Sequence, residues 1–483
     1  MEAPVRGVNP YLPPYEYVPD GEPHVFGDRL YLFGSHDKAG SHTFCENDYV
    51  CYSAPLDDLT DWQYEGVIYR KDQDPNRRKK IFNQLWAPDV CRGVDGRYYL
   101  YYCFAWANYI GVAVADRPQG PYEYYGQVQR SDGTVFGVRR GDRYPFDPAV
   151  LCEGEQVYLY TDYSAVSKKM VNLMRALLGV KLEMLGGRVL TLEKDMLTVR
   201  EEKPLLPGVG NSAGTGFEGH EFYEASSIRH IGDKYYFVYS SALSHELCYA
   251  VSDRPDGGFR YGGTIVSNGD IGYQGRRESE AVNYWGNNHG SIAVVKDKAY
   301  IFYHRQTAQT EASRQGCAER IFIAGDGSIS QAPITSCGLH GGALEAGGTY
   351  PASIACILQS KDGACKTTAC GNRRRNAHPY ITQDQPDGQS GQQYIANLRD
   401  GAKFGFRYFD LHAPHISLTT RGDAGTVLVS ADFGKTVLAE IPVEASKTWK
   451  KSRSVRLDAT GVSELCFLYQ GSGKLSVSEI HFE

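Results

Sequence analysis

No apolar run in the 483 residues reaches the roughly 18 that a membrane-spanning helix needs, so a membrane partner is not expected. Basic residues are not in excess either, because 51 lysines and arginines face 57 aspartates and glutamates, for a formal net charge of −6. Nucleic-acid binding calls for a basic face, so nucleic acid is not expected as a partner. No feature of the sequence indicates an oligomeric state.

Paired Cys-x-x-Cys spacings are absent among the twelve cysteines, which argues against a structural zinc site. Residues 1–6 lack the basic head and apolar stretch of a secretory signal peptide. Unpaired thiols in a reducing compartment are the simplest explanation for irregularly spaced cysteines. The sequence therefore favours a cytoplasmic location.

Tyrosine is abundant, with 35 residues, and many of them belong to a phrase that recurs five times. Each copy is a Gly- or Asp-containing turn followed by an aromatic strand, which includes Tyr31, Tyr99, Tyr158, Tyr236 or Tyr300. The copies lie roughly 60 to 80 residues apart, more than the usual blade repeat, which leaves room for inserted loops. Further strands after several copies suggest four strands per unit, which predicts a five-bladed β-propeller. A generic β-sandwich is the alternative.

Residues 164–182 have the clearest helical spacing in the propeller and predict a helical insertion packed on the third blade. The apolar stripe of this helix consists of Met170, Leu173, Leu177 and Leu178.

The composition shifts to glycine, serine and alanine near residue 338, and the tyrosine phrase stops there. Residues 338–355 are interpreted as a linker, and residues 356–483 show short alternating segments typical of an antiparallel β-sandwich. The predicted fold is all-β, with the propeller in residues 1–337 followed by the smaller sandwich.

A polar residue opens the strand before four of the Tyr-rich strands, seven or eight residues ahead of the turn: Asp20, Asp147, Glu224 and His289. Equivalent positions in propeller blades face one axis. Acetal cleavage needs a carboxylic acid that protonates the leaving oxygen and a carboxylate that activates water or attacks directly. A third negative charge nearby would raise the pKa of the acid. For any one of these carboxyls, a strand-end cap is the competing interpretation.

These motifs resemble glycoside hydrolase family 43 over roughly residues 8–337. The resemblance rests on residues 86–90 (WAPDV), Asp147-Pro148 and residues 222–229 (FYEASSIR). It implies a five-bladed propeller with Asp20 as base, Asp147 as the residue that tunes and orients the acid, and Glu224 as general acid. Glu22, which precedes Pro23, competes with Asp20 for the base, but the spacing to the turn favours Asp20.

The resemblance also implies the residues that contact the sugar. His289 would line the site floor, and Arg305 would bind hydroxyls and orient an acid. Trp86 and Phe222 are candidate stacking walls, with core packing as the alternative. No cofactor is expected to be required, although a structural cation such as calcium would fit near His289 or in the sandwich. The sandwich resembles family 6 carbohydrate-binding modules.

The predicted function is an inverting glycosidase that is exo-acting on arabinofuranosyl or xylosyl oligosaccharides, because the 164–182 insertion and a loop at 72–84 would crowd the pocket. An α-L-arabinofuranosidase is favoured. A β-D-xylosidase or β-D-galactofuranosidase on the same scaffold is the alternative. A glycoside phosphorylase and a non-catalytic sugar-binding propeller are more remote.

Overall fold

The computed structural model describes residues 6–77, 83–367, 377–431 and 436–483. Within these ranges, five β-sheets lie between residues 22 and 321, and two more lie between residues 344 and 482. The described α-helix is α1 (Lys168–Leu178), and no helix among the described residues is long and apolar enough to cross a membrane. The all-β prediction is confirmed.

Three of the five sheets are regular blades of four antiparallel strands in chain order. The first blade is β1 (Glu22–Phe26), β2 (Arg29–Phe33), β3 (Tyr49–Pro55) and β4 (Gln63–Tyr69). The second is β5 (Leu85–Arg92), β6 (Tyr98–Phe104), β7 (Ile110–Ala115) and β8 (Glu123–Gln127). The fourth, numbered after the strands of the third blade, is β14 (Phe222–Ile231), β15 (Lys234–Ser241), β16 (Glu246–Ser252) and β17 (Arg260–Ser267).

The other two blades depart from this pattern. The third consists of β9 (Gln129–Arg130), β10 (Ala149–Glu153), β11 (Gln156–Thr161), β12 (Arg188–Leu192) and β13 (Thr198–Pro204). Its extra strand β9 runs parallel to β13 at the outer edge. The fifth has three described strands, β18 (Ile292–Val295), β19 (Lys298–Gln306) and β20 (Arg314–Ile321), rather than the four predicted. After β20 the described chain forms an isolated bridge between Ile323 and Ile329 and then packs on the fourth blade, where the Ala332 amide donates to the Ile265 carbonyl at 2.7 Å.

The first strands of the blades surround one axis. β1 contacts β5, β5 contacts β10, and β10 contacts β14. Between the fourth and fifth blades, Ser227 Oγ donates to Ser291 Oγ at 2.7 Å. A parallel bridge between Gly21 and Gly290 then closes the ring from the fifth blade to the first. The predicted five-bladed propeller is confirmed.

The Tyr-rich strands are the second strands of the blades, and neighbouring blades cover both of their faces. Tyr101 and Tyr102 on β6 are fully buried. Their hydroxyls donate to the Met196 carbonyl at 2.7 Å and to Asp74 Oδ2 at 2.7 Å. Tyrosine supplies a large apolar ring for the space between blades and a hydroxyl that reaches a partner at its edge. This dual capacity accounts for the repeated phrase.

The inserted helix α1 lies where the sequence predicted it, but another face is buried. Ser167 caps its start and Gly179, at φ +67°, ends it. The side chains that pack on the propeller are Met170, Val171, Met174 and Leu178. Leu173 and Leu177 are 51% and 69% exposed, so half of the predicted stripe faces solvent.

The second unit is a sandwich of two sheets around one apolar core. One sheet contains β21 (Leu344–Glu345), β23 (Ile357–Gln359), β26 (Lys403–Leu411), β28 (Gly425–Ser430), β29 (Val437–Val443) and β32 (Gly461–Gln470). The other contains β22 (Gly348–Pro351), β24 (Tyr380–Gln383), β25 (Gln393–Leu398), β27 (His415–Gly422), β30 (Ser446–Lys451), β31 (Val455–Arg456) and β33 (Leu475–Phe482).

Residues 338–355 are part of the sandwich rather than the linker that the sequence predicts. β21 pairs with β26 and β22 pairs with β33, so both short strands belong to the sandwich. Leu344 and Tyr350 are buried in its core. Two apolar anchors in a glycine-rich segment are enough for tertiary pairing to override low local strand propensity.

A buried arginine joins the two units. Arg407 on β26 is paired with Glu464 of the sandwich and, through Nη1, with Asp270 of the propeller. Asp270 is fully buried, and Arg407 is 4% exposed at its side chain. Removing Arg407 would leave Asp270 with the longer Arg276 contact of 3.3 Å as its remaining ion pair, and loss of one partner of a buried ion pair is strongly destabilising.

We therefore expect Arg407→Met to lower the free energy of unfolding by about 3 kcal/mol or more. The matched control is Arg456→Met, which removes the exposed Arg456–Asp458 pair (2.6 Å) and should cost less than about 1 kcal/mol. Urea denaturation of the two variants measures the difference. Equal losses would contradict the importance given to the buried pair.

Candidate active site

A cavity of about 310 Å³ lies at one end of the propeller axis. Asp20, Asp147 and Glu224 all line it, although they come from the first, third and fourth blades. The structure places Glu22, the competitor for the base, elsewhere: its Oε2 accepts hydrogen bonds from Arg229 at 2.6 Å and Ser227 at 3.2 Å. The repeat spacing thus selected the carboxyls that meet.

Backbone conformation directs these carboxyls. Asp20 and Asp147 each lie two residues before the strand of their blade that surrounds the axis, β1 or β10, and have φ values of +57° and +44°. Ala225, which follows Glu224, has φ +65° and lies in a register shift of β14. Non-glycine residues rarely occupy this left-handed region, and such positions concentrate at functional sites.

Asp20 is held as a carboxylate by a cation. Arg314 Nη1 donates to Asp20 Oδ1 at 2.7 Å, and His304 Nδ1 lies 3.3 Å from the same oxygen. Burial alone would raise the pKa of Asp20, but the charge of Arg314 and the contact with His304 outweigh it. The net result is a pKa well below the ordinary value for aspartate.

The pKa of Glu224 is shifted in the opposite direction. Burial, followed by the negative charge of Asp20, raises the pKa of Glu224 to about 8. Burial and the neighbouring charge of Glu224 also raise the pKa of Asp147, so the two carboxyls compete for one proton. Asp147 Oδ2 accepts a hydrogen bond from the Ala225 amide at 3.0 Å, which favours the charged form of Asp147 and partly offsets the rise in its pKa.

His289 lies between two of the carboxyls. Its Nδ1 is 3.6 Å from Asp147 Oδ2 and 4.0 Å from Asp20 Oδ1. Burial lowers the pKa of His289 to about 4, so the ring is neutral near pH 7. A neutral imidazole at this place orients neighbouring groups by hydrogen bonding and adds no charge.

Aromatic side chains form one wall of the cavity. Trp86 packs edge-on against Trp106 and Phe146, with ring centroids 5.5 and 5.0 Å apart. Tyr163 and Tyr223 also line it, and their hydroxyl oxygens lie 2.5 Å apart. Flat apolar faces beside hydroxyls are suited to sugar rings. The structure therefore brings Trp86 to the predicted place.

Two residues predicted to contact the sugar lie outside the cavity. Phe222 is buried in the core against Phe237 and Tyr239. Arg305 donates to the Ser353 carbonyl at 2.7 Å and to Gln315 Oε1 at 3.0 Å, at the boundary with the sandwich. Both predictions of position are wrong.

Strand geometry explains these displacements. Alternation along β19 directs His304 to the cavity and therefore Arg305 away from it. In β14, Tyr223 and Glu224 both line the cavity because the register shift interrupts alternation. Sequence reasoning missed His304, Tyr223, Phe44 and Arg314. Alternation could have found His304, but Arg314 follows a loop outside the repeat and had no signal.

Side chains of metal-ligating type gather in two places among the described residues. One group is Glu22, His24 and Asp89, and the other is His220, Glu246 and Cys248. Each already has internal partners: His24 Nε2 lies 2.6 Å from Asp89, and His220 Nδ1 lies 2.7 Å from Glu246. Neither group includes His289 or belongs to the sandwich. The cation expected there stays a prediction.

Comparisons with known proteins identify the family of the chain. A family model described as glycosyl hydrolases family 43 matches residues 17–329. A xylosidase/arabinosidase from Thermoclostridium stercorarium is 48% identical over 97% of each chain. A xylosidase/arabinosidase from Bacteroides ovatus is 31% identical over 61% of this chain and 87% of its own.

One solved structure also has the same fold. A family 43 enzyme from Xanthomonas citri, complexed with xylose, is 25% identical and covers 66% of this chain and 91% of its own, with a TM-score of 0.51. The family model matches more than half of the chain, and the Thermoclostridium relative extends over nearly all of it. The chain therefore belongs to glycosyl hydrolases family 43 and is a glycosidase.

Proposed function

We propose that this protein is an inverting, exo-acting glycosidase that releases α-L-arabinofuranosyl or β-D-xylosyl residues from oligosaccharides. The observation that carries the proposal is the separation of carboxyl pKa values in one cavity. The pKa of Asp20 lies well below its ordinary value, and the pKa of Glu224 is raised to about 8. Inverting hydrolysis needs an ionised base and a protonated acid at the same pH.

In this mechanism Asp20, ionised beside Arg314, accepts a proton from the attacking water. Glu224 donates its proton to the glycosidic oxygen as the bond to the leaving group breaks. Asp147, which is oriented by the Ala225 amide, shares a proton with Glu224. Whenever Asp147 is ionised, its negative charge favours the proton on Glu224. The reaction needs no cofactor, because proton transfer at the two carboxyls supplies the chemistry.

The size of the cavity supports exo action on short substrates. Its volume of about 310 Å³ is at the lower end of the range for small-molecule pockets. The 164–182 insertion does not line the cavity as the predicted crowding requires, and helix α1 packs instead behind the aromatic wall that contains Trp86 and Trp106. Part of the 72–84 loop, residues 78–82, lies outside the described residues. The choice of sugars rests on the two relatives named xylosidase/arabinosidase.

A phosphorylase would require spare positive charge for phosphate near the water position. Arg314 is there, but it is bound by both Asp20 and Asp37. His289 and His304 have lowered pKa values because of burial. This balance of charges supports hydrolysis over phosphorolysis.

Replacing the acid should affect substrates according to their leaving groups. Glu224→Gln should lower kcat/KM on xylo- or arabino-oligosaccharides about 10²- to 10⁴-fold, because the leaving oxygen then receives no proton. Dinitrophenyl glycosides, whose leaving group needs no proton, should lose much less. Glu218→Gln, in an exposed position of the segment before β14, is the control and should behave as wild type. Equal losses on both substrate classes would contradict the role of Glu224.

The pH profile should report the same proton. Activity requires protonated Glu224, so kcat/KM should be retained below pH 8 and fall as the pH rises through about 8. This basic limb should disappear in Glu224→Gln assayed on the dinitrophenyl substrate. Steady-state kinetics across pH 4 to 10 measures both profiles. A basic limb that persists in the variant would assign that ionisation to another group.

Product analysis tests inversion and sugar class together. We expect turnover of nitrophenyl α-L-arabinofuranoside and β-D-xyloside, with β-D-galactofuranoside a poorer substrate. Proton NMR in the first minutes should show released sugar with anomeric configuration opposite to the substrate. Retained configuration would exclude Asp20 as a water-activating base, and preference for galactofuranoside would overturn the sugar assignment.

A further inference from the structure

The sandwich contacts the propeller beside the cavity, at a loop that joins β2 to β3. This segment, residues 34–48, is called here the 34–48 loop. Phe44 and Cys45 at its tip line the cavity. The ring of Phe44 lies under the guanidinium of Arg314, with 4.9 Å from Cζ to the ring centroid. A displacement of the loop would therefore change the packing and position of the Arg314 guanidinium.

One sandwich side chain binds this loop at two places. Asp387 lies in the turn between β24 and β25. Its Oδ1 accepts a hydrogen bond from the Ala39 amide at 2.8 Å, and its Oδ2 accepts one from Asn47 Nδ2 at 3.1 Å. Ala39 and Asn47 lie on the two sides of Phe44 and Cys45, so a single carboxylate holds the segment that carries these two residues.

A continuous set of bonds leads from this contact to the base. Asn47 Nδ2 also donates to the Asp37 carbonyl at 2.9 Å. The Asp37 carboxylate accepts from Arg314 Nε at 2.8 Å and Nη2 at 3.0 Å, while Arg314 Nη1 binds Asp20 at 2.7 Å. Asp37 and Arg314 are both buried. Buried charge-assisted pairs of this kind are sensitive to small displacements.

A second sandwich contact supports the other side of the same arginine. Residues 307–313 lead into Arg314, and the Ala308 amide donates to the Ile381 carbonyl at 2.8 Å. The Gly40 amide of the 34–48 loop donates to Ser313 Oγ at 2.9 Å. The sandwich thus holds both segments that place the guanidinium.

The aromatic pair of the sandwich near Asp387 is covered by another side chain and is not open for stacking on a sugar. Tyr394 and Trp449 lie together, but the Arg421 guanidinium covers both rings at 4.9 and 4.4 Å. Asp384 Oδ2 holds that guanidinium at 3.0 Å. This cluster is satisfied within the sandwich, whereas Asp387 directs its carboxylate to the propeller.

We propose that Asp387 is a positioning residue for hydrolysis, through which the sandwich fixes the 34–48 loop and so the pairing of Arg314 with Asp20. The inference rests on the proposed role of Asp20 as the base. When the loop is released, Asp37 and Arg314 shift, and the hydrogen bond from Arg314 to the Asp20 carboxylate weakens. The sandwich then serves catalysis itself rather than the capture of polymer.

The test compares two aspartates that lie three residues apart in full-length protein. Asp387→Ala should lower kcat/KM on the order of tenfold, because misplacement of about 1 Å is costly in catalysis. The acid limb of its pH profile should move to higher pH, since Arg314 is what lowers the pKa of Asp20. Asp384→Ala, which removes the partner of Arg421 and of the Tyr394 hydroxyl within the sandwich, should leave both kcat/KM and the profile unchanged. Thermal unfolding by circular dichroism accompanies each measurement.

A second variant addresses the same bond from the propeller side. Asn47→Ala should also lower kcat/KM, and Asp387→Ala/Asn47→Ala should lose less than the sum of the two single variants, because each single variant already removes the Asp387–Asn47 bond. Wild-type kcat/KM with an unmoved acid limb in Asp387→Ala would overturn the proposal, as would additive losses. Asp20→Asn distinguishes failure of the proposed function from failure of the positioning role of Asp387. If it retains activity, the proposed function fails; if it is inactive while Asp387→Ala is normal, the positioning role alone fails.

Discussion

The bond between Arg314 and Asp20 is the interaction on which the site depends. Three carboxyls buried in one cavity would all be driven toward their neutral forms by desolvation. A cation bound to one of them breaks that equivalence: Asp20 stays ionised, and its charge in turn raises the pKa of Glu224. One asymmetric contact thus produces a base and an acid from chemically similar groups.

This bond also lies at the seam of the propeller. Asp20 precedes the first strand of the first blade, and Arg314 begins the last described strand of the fifth. The Gly21–Gly290 bridge closes the ring beside them. Because the seam unites the beginning and end of the propeller, ring closure and ionisation of Asp20 require the same alignment. Buried pairs are costly unless fully satisfied, and Asp37 supplies the second partner of the arginine.

The sequence predicts the residues that occupy the same position in each blade repeat, but it does not predict the contacts of the segments between the repeats. Asp20, Asp147, Glu224 and His289 were found because each occupies the same position in its blade. Arg305 was misplaced because strand alternation directs His304, its neighbour, to the cavity. Residues 338–355 have the composition of a linker, and their pairing with distant strands leaves no local signal.

Arg314 and the 34–48 loop belong to the unrepeated part of the chain, and so do the walls of the cavity. Trp106 and Tyr163 lie in connections outside the strands, and α1 packs behind them. The carboxyls are set by blade geometry, so these connections can change the shape of the pocket without moving the reacting groups. Substrate choice and acid–base chemistry are therefore controlled by separate parts of the chain. The sandwich contacts the connections rather than the blade strands that carry the carboxyls, which places its influence on Arg314 and on the rim of the pocket.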